Sequence, residues 1–410
     1  MARVATRTTN AGAGRVDPTL RTRLDERAHD TRAFLETHAT SIARLCEAMA
    51  ERFAAGGRLM ACGVAPTARS DVRRVAVEFV HPVAVGKRAL PALGLTGECG
   101  PLSLQIDLTA RPDDIILAFP QGGECEPILA ETLEVARSRG CLTVSFGAGG
   151  EWNFAPTSRD PFVRQELVEA LHHLLWEMVH PFLERTARLE REGEGRHRDP
   201  GARGRMPLLP ATQPDADGVL ESVRNAVLAR AAEVAELRER TVLGSAAALA
   251  AAAAGLRRAL DGGGTVLAVG NGGSATDAMD AVADLRTPPH GWPARSALDL
   301  VEDTAVLTGL ANDIGADAIF SSQVIAYGRP GDALLAFSTS GDPRNIIRAL
   351  DEGRRRGLFT VALVGGDGGR IADEVLAHAV IISPSQHIPR IQEAQATAWH
   401  LLRELMERPQ

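Results

Sequence analysis

The chain has 410 residues, enough for two or three domains with cores of their own, and its 45% hydrophobic and 24% charged residues are the balance of an ordinary globular protein. No apolar run reaches the roughly 18 residues that a membrane span needs. The net charge of −7 and a single tyrosine, Tyr327, argue against a nucleic-acid binder, while backbone amides in loops leave a phosphorylated small molecule open as a partner.

Residues 1–17 are rich in Arg and Ala without a continuous apolar stretch, which predicts a flexible tail rather than a secretory signal. Gly57 to Gly63 reads as a strand running into the loop Gly63-Val-Ala-Pro-Thr67, followed by a helix carrying Arg74 and Glu78. Arg111 to Phe119 and Ala136 to Phe146 read as further strand regions, the first ending in the loop Phe119-Pro-Gln-Gly-Gly-Glu124. Arg164-Gln-Glu166 and, eight residues after the Gln, His173 close this half. Residues 187–217 are Gly, Pro and charged residues that cannot bury enough apolar surface to fold, so they read as a disordered linker. The five cysteines (Cys46, Cys62, Cys99, Cys125, Cys141) are odd in number, lack a C-x-x-C pair and read as buried reduced thiols of a cytoplasmic protein.

After the linker the same pattern returns. Gly264 to Gly270 and Thr276 to Asp284 match the first strand and helix, Arg329 to Phe337 matches Arg111 to Phe119, and Gly353 to Leu363 matches Ala136 to Phe146. Arg390-Ile-Gln-Glu393 with His400 repeats Arg164-Gln-Glu166 with His173. Four matches in one order predict a duplication, with copies over 18–186 and 218–410. Continuous apolar runs at Thr265–Val269, Ala333–Phe337, Thr360–Val364 and Ala379–Ile382 alternate with helical stretches such as Asn345–Arg356. The expected fold class is therefore α/β, two tandem doubly wound domains, each a parallel sheet flanked by helices. Ligands of such sheets sit at the carboxyl ends of the strands.

Two loops of the second copy fall there. Gly270-Asn-Gly-Gly-Ser274 follows a strand and opens a helix, and Ser338-Thr-Ser-Gly341 offers three hydroxyls beside free amides. Each alone also suits a tight turn with helix capping, but two on neighbouring strand ends point to one phosphate.

These loops, with the Arg-Ile-Gln-Glu helix and its histidine, resemble the sugar isomerase (SIS) family and, within it, the phosphoheptose isomerases, strongly over 218–410 and more weakly over 40–185. Members of that branch convert D-sedoheptulose 7-phosphate to D-glycero-D-manno-heptose 7-phosphate with a metal, typically zinc. The resemblance implies substrate and phosphate contacts at Asn271, Gly272, Gly273, Ser274, Ser338, Thr339 and Ser340, and sugar contacts at Asp313; Pro343 replaces one further serine. It implies metal ligands at Asp280, Asp284, Gln392 and His400, with Asp284 as base and His400 as acid, aspartates standing where the family has His and Glu. In the first copy those positions hold Arg74, Glu78, Gln165 and His173 and the serine loop is lost, so this copy is expected not to bind a sugar phosphate in the usual way. A different ligand there, or residues lent across the interface, both stay open. Because the family assembles four single-domain subunits, a tandem chain is expected to form a homodimer. Two functional readings stay open: an isomerase with its site on the second copy, or a non-catalytic sugar-phosphate binder.

Overall fold

The computed structural model describes residues 17–82, 87–120, 126–193 and 216–408. The first copy runs α1 (Pro18–Ala54), β1 (Leu59–Cys62), α2 (Pro66–Val80), β2 (Ala92–Leu95), α3 (Leu102–Thr109) and β3 (Ile115–Ala118), then α4 (Glu126–Ser138), β4 (Leu142–Ser145), β5 (Trp152–Asn153) and α5 (Pro161–Gly193). The second runs α6 (Ala216–Gly244), α7 (Ala246–Asp261), β6 (Val266–Val269), α8 (Gly273–Arg286), β7 (Ala297–Asp299), α9 (Thr304–Asp313) and α10 (Ile319–Tyr327). It ends with β8 (Ala333–Ser338), α11 (Arg344–Arg355), β9 (Phe359–Gly365), α12 (Gly369–Asp373), β10 (Ala379–Ser383) and α13 (Ile388–Glu407). No described helix is long and apolar enough to cross a membrane.

Both sheets have five strands and every pairing is parallel, in the orders β2-β1-β3-β4-β5 and β7-β6-β8-β9-β10. The two orders are one topology used twice. The central strands β1, β3, β4, β6 and β8 are buried along their whole length, as strands covered by helices on both faces must be. In each sheet the chain leaves the first strand toward one edge and returns on its other side. The crevice at that reversal lies between the loops after β6 and β8 in the second copy.

The long helices do not respect the repeat boundary. Leu20 and Leu24, near the start of α1, pack into the core of the second copy, whereas Val219, Val223, Val227 and Ala231 of α6 pack into the core of the first. A fully buried Leu or Val contributes about 1.5–3 kcal/mol, so this exchange ties the copies together. Helix α5 continues through residue 193, past the expected start of the linker; residues 1–16 and 194–215 lie outside the described residues. Of the cysteines, Cys46, Cys62 and Cys141 are buried as expected, Cys99 is exposed, and Cys125 lies outside the described residues, as do residues 121–124 of the first copy's second loop.

Buried arginines bind the interlocked helices. Arg27 of α1 donates to Glu166 of α5 (3.0 Å) and Glu404 of α13 (3.0 Å), and Arg238 of α6 lies 3.2 Å from Glu166. Arg230 of α6 reaches Glu177 of α5 (3.0 Å) and Glu393 of α13 (2.5 Å). Burial works against the Glu166 charge, but Arg27, Arg238 and His400 outweigh it and hold its carboxyl below the usual range.

Three outcomes follow from this interlock. A protease site placed between residues 194 and 215, once cut, leaves both pieces in one species on size exclusion. Arg27→Met removes the buried guanidinium shared by Glu166 and Glu404 and lowers stability by about 3–5 kcal/mol, read from urea midpoints. The depressed Glu166 carboxyl contributes fully above about pH 4.3, the unfolded glutamate value, and its contribution drains as pH falls through the folded value, so the urea midpoint of the wild type drops on acidification more than that of Glu166→Gln.

Candidate functional site

The Gly270–Ser274 loop turns from β6 into α8 with almost no space around it. A Cβ on Gly270 would lie 2.0 Å from the Ser274 carbonyl oxygen, so only glycine fits. Gly341 is fixed twice over, by φ of +74° and by the Gly368 carbonyl 2.1 Å from where its Cβ would stand. Asn271 and Asn345 exchange side-chain hydrogen bonds of 3.0 and 2.9 Å, which ties the β6 loop to the helix that follows the β8 loop. Ser274 and Ser338 are buried, Thr339 is half-buried, and Asn271, Gly272 and Ser340 are exposed. The Ser338 hydroxyl accepts from the Gly341 amide (3.0 Å), and the Ser340 hydroxyl accepts from the Asp342 amide (3.3 Å). The structure therefore brings the expected phosphate residues to one pair of adjoining strand ends, at the amino terminus of the 14-residue α8. Asp313 is exposed at the end of α9 and accepts from Asn312 (2.8 Å).

The expected metal and acid/base residues are distributed differently. Helices α2 and α8 pack against each other in opposite directions: Ser70 donates to Asp280, and Arg74 reaches Asp277 at 2.7 Å and Asp280 at 3.2 Å. Arg74 also lies 3.1 Å from Glu169. Burial pushes the Asp277 carboxyl up to about 6 in spite of Arg74, and burial with Asp71 pushes Asp280 well above the carboxylate range. Asp280 is thus occupied by a guanidinium from the other copy. Asp284, one turn on, instead accepts from the Trp399 indole (2.8 Å) and lies 3.6 Å from His400 Nε2; burial raises its pKa.

Among the described residues, the group of three or more His, Cys, Asp or Glu side chains with ligand atoms all within 4.8 Å is Glu78, His172 and His173, in the first copy. Asp280, Asp284 and His400 form no such group. The set Asp280, Asp284, Gln392 and His400 does not fit a single ion, because Arg74 supplies the cation that Asp280 needs. Glu78, His172 and His173 offer donor types suited to a zinc-class ion. His173, however, already spends both ring nitrogens on carboxylates, Glu78 at 2.7 Å and Glu393 at 2.9 Å.

Sequence reasoning left the glutamates after each Gln without a role. Glu393 of the second copy holds His173 of the first, and Glu166 of the first holds His400 Nδ1 of the second at 2.8 Å. Each histidine thus has a carboxylate of its own copy on one side and a glutamate of the other copy behind it. Burial disfavours the charged His173, but Glu78 and Glu393 overcome it and raise its pKa to about 10, while the Glu78 carboxyl is held far below its usual range. An aspartate is one methylene shorter than a glutamate, which accounts for the wider gap between Asp284 and His400. His172 stands where the second copy has Trp399, and both its ring nitrogens are buried without a hydrogen-bond partner.

A cavity of about 370 Å³ opens beside Asp284. Its other walls come largely from the first copy: Pro66, Thr67, Phe146, Phe162 and Gln165. The Gly270–Ser274 and Ser338–Gly341 loops do not line it. Asp284 therefore faces the loops of the other copy, and by the α-helical rise it stands roughly 15 Å along α8 from Ser274.

The family model described as "SIS domain" matches residues 231–365. The chain is 42% identical over 178 residues to a phosphoheptose isomerase of Pelodictyon phaeoclathratiforme, a match covering 42% of this chain and 83% of the relative. A phosphoheptose isomerase of Desulfovibrio desulfuricans is 39% identical over 188 residues, covering 46% and 89%. Over nearly its whole length the chain shares its fold with the C-terminal domain of glucosamine-fructose-6-phosphate aminotransferase from Francisella tularensis (TM-score 0.56, 10% identity, 97% of each chain covered). With the duplicated sheet and the paired serine and glycine loops, these likenesses establish that the chain belongs to the SIS-domain sugar-phosphate isomerases, in their phosphoheptose isomerase branch.

Proposed function

We propose that this isomerase converts D-sedoheptulose 7-phosphate to D-glycero-D-manno-heptose 7-phosphate through an enediolate. The observation that carries the reading is the pair of loops at adjoining strand ends, Gly270–Ser274 and Ser338–Gly341, locked together through Asn271 and Asn345. Hydroxyls of Ser274, Ser338, Thr339 and Ser340, with the first amides of α8, suit one phosphate dianion. Moving hydrogen between two adjacent carbons needs a base over the carbons and a proton carrier at the oxygens. The chain offers two carboxylate-imidazole pairs for these roles, Asp284 with His400 and Glu78 with His173. Asp313, exposed at the end of α9, is the carboxylate assigned to the sugar hydroxyls. Leu104 and Leu108 of the first copy and Ile314, Ile325 and Tyr327 of the second are exposed apolar side chains, which suits a homodimer that would rebuild a four-unit assembly from two tandem chains.

Proton NMR of D-sedoheptulose 7-phosphate with the purified full chain should show the aldose product accumulating. In Ser338→Ala, loss of one charge-assisted hydrogen bond of about 1.5–3 kcal/mol should raise KM by about tenfold to a hundredfold. Absence of any aldose while the ketose phosphate still raises Tm would sink the isomerase reading and leave a sugar-phosphate binder. Sedimentation velocity should give twice the 43.5 kDa chain mass; a monomer at micromolar concentration would refute the dimer.

A further inference from the structure

We infer that the crevice of the first copy is a binding site for a small organic amine, whose ammonium group pairs with Asp284 while its apolar body fills the cavity against Pro66, Pro120, Phe146 and Phe162. The Gly270–Ser274 and Ser338–Gly341 loops do not line this cavity, so the inference stands whether or not the isomerase reading holds.

Charge carries the argument. The buried carboxylates Glu166, Glu393, Asp277 and Asp280 stand 3.0, 2.5, 2.7 and 3.2 Å from a guanidinium. Among the described residues Asp284, only 4% exposed, has no guanidinium at ion-pair distance. Arg403 donates to the Asp284 backbone carbonyl (3.4 Å) and pairs with Glu407 (2.7 Å) instead. His400 Nε2 lies 3.6 Å from Asp284 Oδ2, and its Nδ1 is held by Glu166 at 2.8 Å. The Trp399 indole donates to Oδ2 as well, so Oδ1 is left without a hydrogen-bond partner among the described residues. A buried carboxylate without a cation in contact is costly, and Asp284 lines the cavity. An ammonium group placed there supplies the missing charge.

The walls define the rest of the ligand. At about 370 Å³ the cavity is at the small end of the roughly 300–1,000 Å³ of small-molecule sites, which suits a body of one or two rings. Phe162 stacks on His400 (4.5 Å between ring centres) and packs against Trp292 (5.6 Å), so the apolar wall beside the carboxylate is fixed in advance. Thr67 and the buried Gln165 add hydrogen-bonding groups that can orient a ligand. Arg164, the other charged lining residue, is exposed, and solvent screens it. A phosphate is disfavoured here by chemistry as well as by charge. Helix α2 opens on Pro66, which has no amide proton, whereas α8 opens on Gly273, and Pro120 stands where the second copy has Ser338.

Saturation-transfer NMR titrations of the unaltered full chain with benzylamine, benzyl alcohol and benzoate test the site with one ring carrying a cation, a neutral hydroxyl or an anion. We expect benzylamine to bind at least tenfold more tightly than benzyl alcohol, and benzoate not to bind. Asp284→Asn, which keeps an oxygen for the Trp399 indole, should bring benzylamine to within a few-fold of the alcohol. Thr67→Trp, which puts an indole into the cavity from the start of α2, should abolish binding of both. Excess D-sedoheptulose 7-phosphate should leave benzylamine bound. No binding of benzylamine, equal affinity for amine and alcohol, preference for benzoate, or an amine affinity untouched by Asp284→Asn overturns the assignment. Displacement by the sugar phosphate overturns it too, since the cavity would then be a substrate site. Should Asp284→Asn fail to fold, the three-ligand comparison on the wild type and the Thr67→Trp chain decide the matter.

Discussion

Everything in the site follows from how α2 and α8 cross. Their contact is polar and dry: Arg74 lies among Glu169, Asp277 and Asp280, and all four side chains are buried. Carboxylates at that depth are tolerable only beside a cation, and the guanidinium is fixed there because three oxygens converge on it. Taken singly, an arginine at a ligand position of one copy and an aspartate at the same position of the other look like two separate losses. In the structure they are one exchange, in which the cation is carried by a side chain from the other copy.

The same crossing makes the two copies mutually dependent. Each histidine is backed by a glutamate from across the interface, and the N-terminal helices of each copy fill the core of the other. A copy that has lost its serine loop therefore cannot be discarded, since its helices complete the second core and its Glu166 orients His400. Covalent linkage also lets the two halves diverge. An assembly of identical subunits must repair every site alike, whereas a tandem chain can concentrate serines in one copy and the longer carboxylate in the other.

Electrostatic asymmetry accompanies this division. Glu78 and His173 form a close pair in which the carboxyl is held down and the imidazole up. At the matching place Asp284 is shorter and lies 3.6 Å from His400, and burial raises its pKa while the Trp399 indole donates to one oxygen. The substitution of Trp399 for His172 changes what surrounds the carboxylate from imidazole to indole.

Much of this was written in the amino-acid sequence. The duplication, the continuous strands and the paired glycine and serine loops depend on local pattern: apolar runs, glycines where backbone approaches backbone, and hydroxyls at fixed spacing. Those features survive as linear signals because each is satisfied within a few residues or along one strand. The surroundings of Asp284 could not be read this way. Alignment pairs Asp284 with the family's base and places it in the same copy as the serines, but a helix carries it away from its own loop at about 1.5 Å per residue. Which loop it reaches is decided by the crossing of two helices some two hundred residues apart in sequence. The role of Glu393 and Glu166 was hidden for the same reason, since each acts on a histidine of the other copy. Sequence by itself determined the fold, the repeat and the two loops at adjoining strand ends; tertiary packing alone decided which side chains stand against Asp280, Asp284, His173 and His400, because those contacts join helices far apart along the chain.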